Sequence, residues 1–195
     1  MLIAALVLVA ILTAPLTGGR WSDLAAFRPK AAWLLWVALG VQVVQFSFLD
    51  LGPASDAVHL GTYALAALFL VANWRVPGAW LVAFGGACNG VTIALNGGTL
   101  PARLAALRAA GLPVDRDRFV NSGVMDHAKL WWLGDVFYVP KGFPLANVFS
   151  VGDVLLVLGA FVVVHTLARR QPEARPETAR GADASESAGA EPAAA

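Results

Sequence analysis

The chain has 195 residues, of which 58% are hydrophobic and only 14% are charged, and its net charge is +1. Because soluble domains average about a quarter charged residues, this composition and a mean hydropathy of +0.66 indicate a polytopic membrane protein. The balanced charge, without a basic stripe interleaved with aromatic residues, argues against a nucleic-acid partner. The single cysteine excludes an intramolecular disulfide.

Five apolar runs predict an all-α fold, a transmembrane helix bundle of about five spans that forms one domain over residues 1–168. The predicted spans cover residues 2–17, 31–51, 57–74, 79–96 and 151–168. No Lys or Arg precedes the first run and Arg20 follows it, which favours a retained span over a cleaved secretory signal. The second run is long enough to cross the hydrocarbon core at about 1.5 Å per residue.

The fourth run carries two asparagines at membrane depth. An unpaired amide in hydrocarbon is costly, so Asn89 must face protein, water or a ligand. Asn96 is followed by Gly97 and Gly98, which predicts that the helix ends there with a glycine in the left-handed conformation. Pro101 is then predicted to begin a new segment.

The long connection between the last two spans, residues 97–150, is predicted to be partly ordered. Residues 102–110 have the spacing of a short amphipathic helix. Residues 130–140 are apolar but interrupted by Gly134 and Pro140. This stretch is too short to span, so it is predicted to be an extended or re-entrant segment lying over the mouth of the bundle.

A capping box precedes the last apolar run. Ser150 is predicted as the N-cap and Asp153 as the residue that bonds back to it, with Gly152 between them. Residues 169–195 are rich in Ala, Pro and Glu and contain no large apolar residue, which predicts a disordered cytoplasmic tail.

Lysine and arginine indicate the orientation in the membrane. The short loop after the first span holds Arg20, Arg28 and Lys30, whereas the loop between the second and third spans carries Asp56 and no basic residue. This asymmetry predicts a multi-pass cell-membrane protein with its N-terminus outside and its C-terminal tail in the cytoplasm. Tryptophans lie near the ends of apolar runs, as in interfacial belts, at positions 33, 36, 74 and 80.

With this orientation, polar residues from distant parts of the chain meet in the outer half of the membrane. Polar groups at this depth are candidate functional residues. The ligand-binding candidates are Gln42, Gln45, His59, Asn89, Asn96, Asp135 and Asp153. Amides also hold helices together in bundles, so a ligand pocket and a network joining helices are both consistent with the pattern.

Three short motifs together resemble an uncharacterised family of bacterial integral membrane proteins, the domain of unknown function 5317. They are Asn96-Gly97-Gly98-Thr99-Leu100-Pro101, Leu133-Gly134-Asp135 with Pro140, and Ser150-Val151-Gly152-Asp153. The family often has Met where this chain has Leu100, a change that keeps the side-chain volume similar. The resemblance covers residues 1–168 and implies the membrane fold, but it implies no mechanism.

Three functions follow from these patterns. The first is a non-enzymatic small-ligand-binding or transport-like bundle with a polar site in the outer half of the membrane. The alternative is a structural protein that assembles as a homo-oligomer or with another membrane protein, using the small-residue notch of Gly86 and Gly90. The third, a membrane-surface enzyme using Asp135 and Asp153, is the least favoured, because no catalytic or metal-ligand motif is present. No cofactor is predicted, and the expected partner is the lipid bilayer.

Overall fold

The computed structural model describes residues 2–48, 55–114 and 122–169, and most of these residues are helical. The helices are α1 (Leu2–Thr13), α2 (Trp21–Ala26), α3 (Trp33–Phe48), α4 (Ser55–Ala72), α5 (Ala79–Leu95), α6 (Leu104–Ala110) and α7 (Val151–Ala168). The strands are β1 (Leu100–Pro101), β2 (Ser122–Gly123), β3 (Asp135–Val139) and β4 (Asn147–Ser150). Short 3-10 helices cover Ala14–Thr17 and Trp131–Leu133.

The apolar helices pack side by side, with α7 between α1 and α5, and α4 between α3 and α5. Lys30, before α3, bonds to Asn73, after α4, while Gln45 near the end of α3 bonds to Ser55 at the start of α4. These contacts make α3 and α4 antiparallel.

The helices α5 and α7 are antiparallel too, and glycines bring their backbones into contact. A Cβ on Gly85 would lie 2.6 Å from the carbonyl oxygen of Gly152, and one on Gly78 would lie 2.7 Å from that of Gly159. Gly78 and Gly85 are seven residues apart, about two helical turns, and so are Gly152 and Gly159. Both contacts therefore lie on one face of each helix. Only glycine allows helices to approach this closely.

The alternating directions give the bundle two distinct ends. At the first, here called the basic end, α1, α4 and α7 finish and α3 and α5 begin. Among the described residues, its connections carry five basic ones: Arg20, Arg28, Lys30, Arg75 and Arg169. The opposite end carries the cap, defined as the described residues from 96 to 150.

The cap has a small core of its own. Helix α6 ends at Gly111, which has a φ of +68°, and packs on strands β3 and β4. Its buried core residues are Ala102, Ala106, Leu107, Ala110 and Val148. Strands β3 and β4 pair antiparallel, and β1 and β2 pair parallel. Strand β4 ends at Ser150, and α7 begins at the next residue, so no linker separates the cap from the bundle.

Several local predictions are confirmed. The capping box of Ser150 and Asp153 is present at the start of α7. Gly97 and Gly98 have φ values of +65° and +88°, and the Gly98 N–H donates to the carbonyl of Ile93, as in a Schellman motif. The predicted helix at 102–110 is present as α6.

One prediction needs correction, and another is confirmed only in part. The fold is not all-α, because the predicted extended segment at 130–140 forms β3 and pairs with β4. Of the five predicted spans, α7 is the one described helix that is long and apolar enough to cross a membrane. The other apolar segments among the described residues are 10–17 residues long and cover Leu2–Thr17, Trp33–Gln45, Leu60–Ala72 and Ala79–Leu95. The predicted tail beyond Arg169 lies outside the described residues.

Candidate functional site

Asn89 connects α5 to the start of α7 through both atoms of its amide. Its Nδ2 donates to Oδ1 of Asp153 at 2.9 Å, and its Oδ1 accepts from the Ser150 hydroxyl at 2.8 Å. Asn89 is only 7% exposed and Ser150 is fully buried. The amide predicted to lie at membrane depth therefore finds its partners within the protein.

Ser150 and Asp153, the two partners of Asn89, also form the capping box at the N-terminus of helix α7. The backbone N–H of Asp153 donates to Ser150 Oγ at 3.0 Å, and the backbone N–H of Ser150 donates to Asp153 Oδ2 at 2.9 Å. A carboxylate is favourable here because the helix dipole is positive at its N-terminus. Gly152 lies beneath the network, where a Cβ would overlap Oδ1 of Asn89. The predicted motif residues Ser150, Gly152 and Asp153 thus form one joint with Asn89.

Asn96 fixes the cap to the end of α5. Its Oδ1 accepts from the backbone N–H of Lys129, and its Nδ2 donates to the carbonyl oxygens of Lys129 and Thr92, all at 2.8 Å. The side chain therefore pairs with residue 129 much as a neighbouring strand would, and Asn96 is 7% exposed. We call this arrangement the Asn96 clamp.

A second clamp of the same form lies at the basic end. Asn73 accepts from the N–H of Lys30 at 2.9 Å and donates to the carbonyl oxygens of Lys30 and Phe69, both at 2.8 Å. It holds the start of α3 against the end of α4. Asn73 is absent from the predicted site; its only sequence signal is an asparagine directly after an apolar run, the same signal as at Asn96.

The two predicted glutamines join α3 to α4. Gln42 Nε2 donates to Thr62 Oγ1 at 2.8 Å. Gln45 Nε2 donates to the hydroxyl and carbonyl oxygens of Ser55 at 2.6 and 2.9 Å. The side chain of His59 lies outside the described part of the chain.

Asp135 lies at the junction of the cap elements. It is 4% exposed, it pairs with Ser150 in the β3–β4 ladder, and its carbonyl accepts from the Arg103 N–H at 3.0 Å. A Cβ on the preceding Gly134 would collide with the carbonyl of Pro101, which explains the glycine in that motif. Pro140 is exposed at the end of β3.

The predicted polar residues therefore form separate hydrogen-bonded sets. Asn89 and Asp153 share one network, Asn96 holds a cap backbone segment, and the glutamines join α3 to α4. Among the described residues, no group of three or more His, Cys, Asp and Glu side chains is placed to hold a metal ion. These hydrogen bonds hold the helices and the cap in position relative to one another.

The Asn89–Asp153 hydrogen bond is expected to contribute a coupling energy of about 1–2 kcal/mol, because hydrogen bonds to charged groups stabilise a protein more than bonds between neutral groups do. A double-mutant cycle of Asn89→Ala and Asp153→Ala, read as free energies of unfolding in detergent, measures it. Gln42→Ala combined with Asp153→Ala is the control, and should be additive because Gln42 bonds to a different helix. A coupling no larger than the control's would contradict the network.

An apolar groove runs between α4 and α5 on the outside of the bundle. Its volume is about 510 Å³, and Tyr63, Trp74 and Trp80 are among its lining residues. None of the predicted polar residues lines it. The notch residues Gly86 and Gly90 lie in this groove, whereas the glycines that contact α7 are Gly78 and Gly85.

Comparisons with known proteins give two matches of unknown function. A family described as "Family of unknown function (DUF5317)" matches residues 26–165. An uncharacterized protein of Thermotoga maritima is 28% identical over 157 residues, which cover 80% of this chain and 85% of the relative. No solved structure matches the chain.

Proposed function

The chain belongs to the Family of unknown function (DUF5317), and from this premise we propose that it is a structural integral membrane protein. In this proposal α1, α3, α4, α5 and α7 cross the bilayer. They hold the cap rigidly at the outer surface, where it assembles with another membrane component. The observation that carries the proposal is that the side chains of Asn89 and Asn96 hydrogen-bond within the protein. Asn89 bonds to the start of α7, and Asn96 bonds to the cap.

The exposed aromatic residues support the membrane location. All seven tryptophans are between 53% and 71% exposed. Five lie near the basic end, at positions 21, 33, 36, 74 and 80, and two lie in the cap, at positions 131 and 132. Exposed tryptophans at both ends of an apolar bundle are typical of the two membrane–water interfaces.

The helix surfaces between these belts support the same location. Large apolar side chains on the outside of the bundle include Leu12, Leu39, Leu68, Phe84 and Leu158, each at least half exposed. A soluble protein rarely exposes so much contiguous apolar surface. The four shorter apolar helices fit a membrane that thins locally around them, at a modest cost.

The basic end is proposed to face the cytoplasm, because short cytoplasmic loops are enriched in Lys and Arg. The N-terminus of α1 and the cap then lie outside. The assembly role is favoured over an enzyme, since both carboxylate oxygens of Asp153 already accept hydrogen bonds from Asn89 and Ser150.

The orientation is tested with single cysteines in a Cys88→Ala background. In intact bacterial cells a membrane-impermeant maleimide should label Arg103→Cys and Lys141→Cys, both in the cap. Arg28→Cys and Arg75→Cys, at the basic end, should react only after permeabilisation. The reverse pattern would invert the orientation, and a chain found in the soluble fraction would end the membrane proposal.

The assembly role is tested on the chain solubilised from its membrane in a mild detergent. A native complex larger than the single chain is expected, and Asn96→Ala should dissociate it because the cap is no longer held. Asn73→Ala is the matched control, since it removes the same three hydrogen bonds at the opposite end. A single chain in every sample, or a complex that survives Asn96→Ala, would contradict an assembly role for the cap.

A further inference from the structure

The α4–α5 groove is a second feature open to a partner, and the network around Asn89 does not use it. Small residues form its walls and floor: Ala64 and Ala67 on α4, and Ala83, Gly86, Ala87 and Gly90 on α5. A Cβ placed on Gly86 would meet no atom within 4 Å, so the space over it is empty. The groove begins at Trp74 and Trp80, at the basic end of the bundle.

The length and the lining of the groove fit a hydrocarbon chain. The lining on α5 runs from Ala79 to Val91, which is about 18 Å at about 1.5 Å per residue. The small side chains along the groove leave room for the methylene groups of an acyl chain to contact α4 and α5 at about 3.5–4.0 Å between carbon atoms.

The length of the groove also matches one leaflet. Half of the hydrocarbon core of a bilayer is about 15 Å thick, and the groove extends about 18 Å from the basic end. A chain lying in it would therefore reach the middle of the membrane, as the acyl chain of a phospholipid does.

A cation lies at the entrance. The guanidinium of Arg75 is stacked over the Trp74 ring, 5.2 Å from its centroid, and Arg75 is exposed. Trp74 itself lines the groove. The stacking holds a positive charge where the headgroup of a lipid in the groove would lie, and a guanidinium binds phosphate well.

We propose that the α4–α5 groove is a binding site for one anionic phospholipid, with an acyl chain along the small residues and the phosphate at Arg75. This inference rests on the proposed membrane location. The apolar lining of the groove binds the acyl chain of the lipid, and Arg75 distinguishes an anionic from a zwitterionic headgroup.

The test uses the full chain in detergent with equal amounts of phosphatidylglycerol and phosphatidylcholine, and native mass spectrometry counts the bound lipids. One phosphatidylglycerol per chain is expected, preferred about five-fold, the effect of one basic residue at an anionic surface. Gly86→Leu and Ala87→Leu fill the groove and should lower the bound fraction about tenfold. Gly61→Leu, at a glycine of α4 that also has open space but does not line the groove, should bind like the wild type.

Arg75→Gln distinguishes the contribution of the headgroup from that of the acyl chain. This variant should still bind a lipid but should lose the preference for phosphatidylglycerol. Equal lipid binding by wild type and both groove-filling variants would overturn the site. A wild-type dimer that Gly86→Leu converts to a single chain would also overturn it, and would assign the groove to a second copy. A chain that fractionates with membranes but retains no lipid would end this inference alone, whereas a soluble chain would end the proposed function as well.

Discussion

Gly85→Ala is expected to destabilise the protein by about 1–3 kcal/mol, the usual cost of inserting a methyl group into a filled contact. The new Cβ would lie 2.6 Å from the Gly152 carbonyl oxygen and 2.8 Å from the Leu156 nitrogen. Both are backbone atoms of α7, so no side chain can rotate away. The helices must separate instead, which stretches the bonds that Asn89 makes to the start of α7.

The adjacent glycine is the matched control for this prediction. Gly86→Ala places its methyl group in open space, so it should stabilise the chain by about 0.5–1 kcal/mol, because Ala is a better helix former than Gly. Chemical unfolding in detergent micelles, followed by circular dichroism, measures both variants. Equal free energies of unfolding for the two would contradict the close α5–α7 contact.

Asn96→Ala is expected to release the cap while leaving the bundle folded. The variant removes all three hydrogen bonds of the Asn96 clamp and leaves the N–H and C=O of Lys129 without that partner. A hydrogen bond contributes about 0.5–1.5 kcal/mol, so the loss of three should lower the local opening free energy by about 2–4 kcal/mol. Hydrogen exchange at residues 123–134 should speed up by about two orders of magnitude.

The Asn73 clamp provides the comparison, since it has the same geometry at the other end of the bundle. Asn73→Ala should speed exchange around Lys30 and the first turn of α3, and leave the cap unchanged. Exchange in α5 and α7 should stay slow in both variants. Unchanged cap exchange in Asn96→Ala would show that other contacts hold residue 129.

Local features of this fold can be predicted from sequence because their causes are local. The capping box needs only Ser150 and Asp153 at the right spacing before an apolar run. The end of α5 needs only the two glycines after Asn96. In both cases the residues that make the bonds lie within one or two helical turns of one another.

Long-range contacts lack such signals. The sequence indicates that Asn89 needs a polar partner. Ser150 lies 61 residues away in the chain, and no sequence pattern around Ser150 indicates that it bonds to Asn89. The clamp of Asn96 binds the backbone of Lys129, and a backbone group has no sequence signature. The predicted pocket and the predicted network therefore could not be distinguished before the helices were placed.

The glycines of α5 show the same limit. Gly86 and Gly90 have the spacing of a helix-packing notch, yet they line the groove, while Gly85 and Gly78, the N-cap of α5, contact α7. Both pairs satisfy the rule that small residues recur on one helix face. Only the position of the neighbouring helix decides which pair is covered.

The distance along the chain between Asn89 and its partners has a consequence for biosynthesis. Ser150 and Asp153 are made 61 and 64 residues after Asn89, a delay of about 3–13 s at about 5–20 residues per second. During that interval the α5 amide has neither partner. With the membrane location proposed above, α5 must therefore stay beside water or the insertion machinery until α7 emerges. Helix α7 therefore supplies the partners of an amide on α5 that is made well before it.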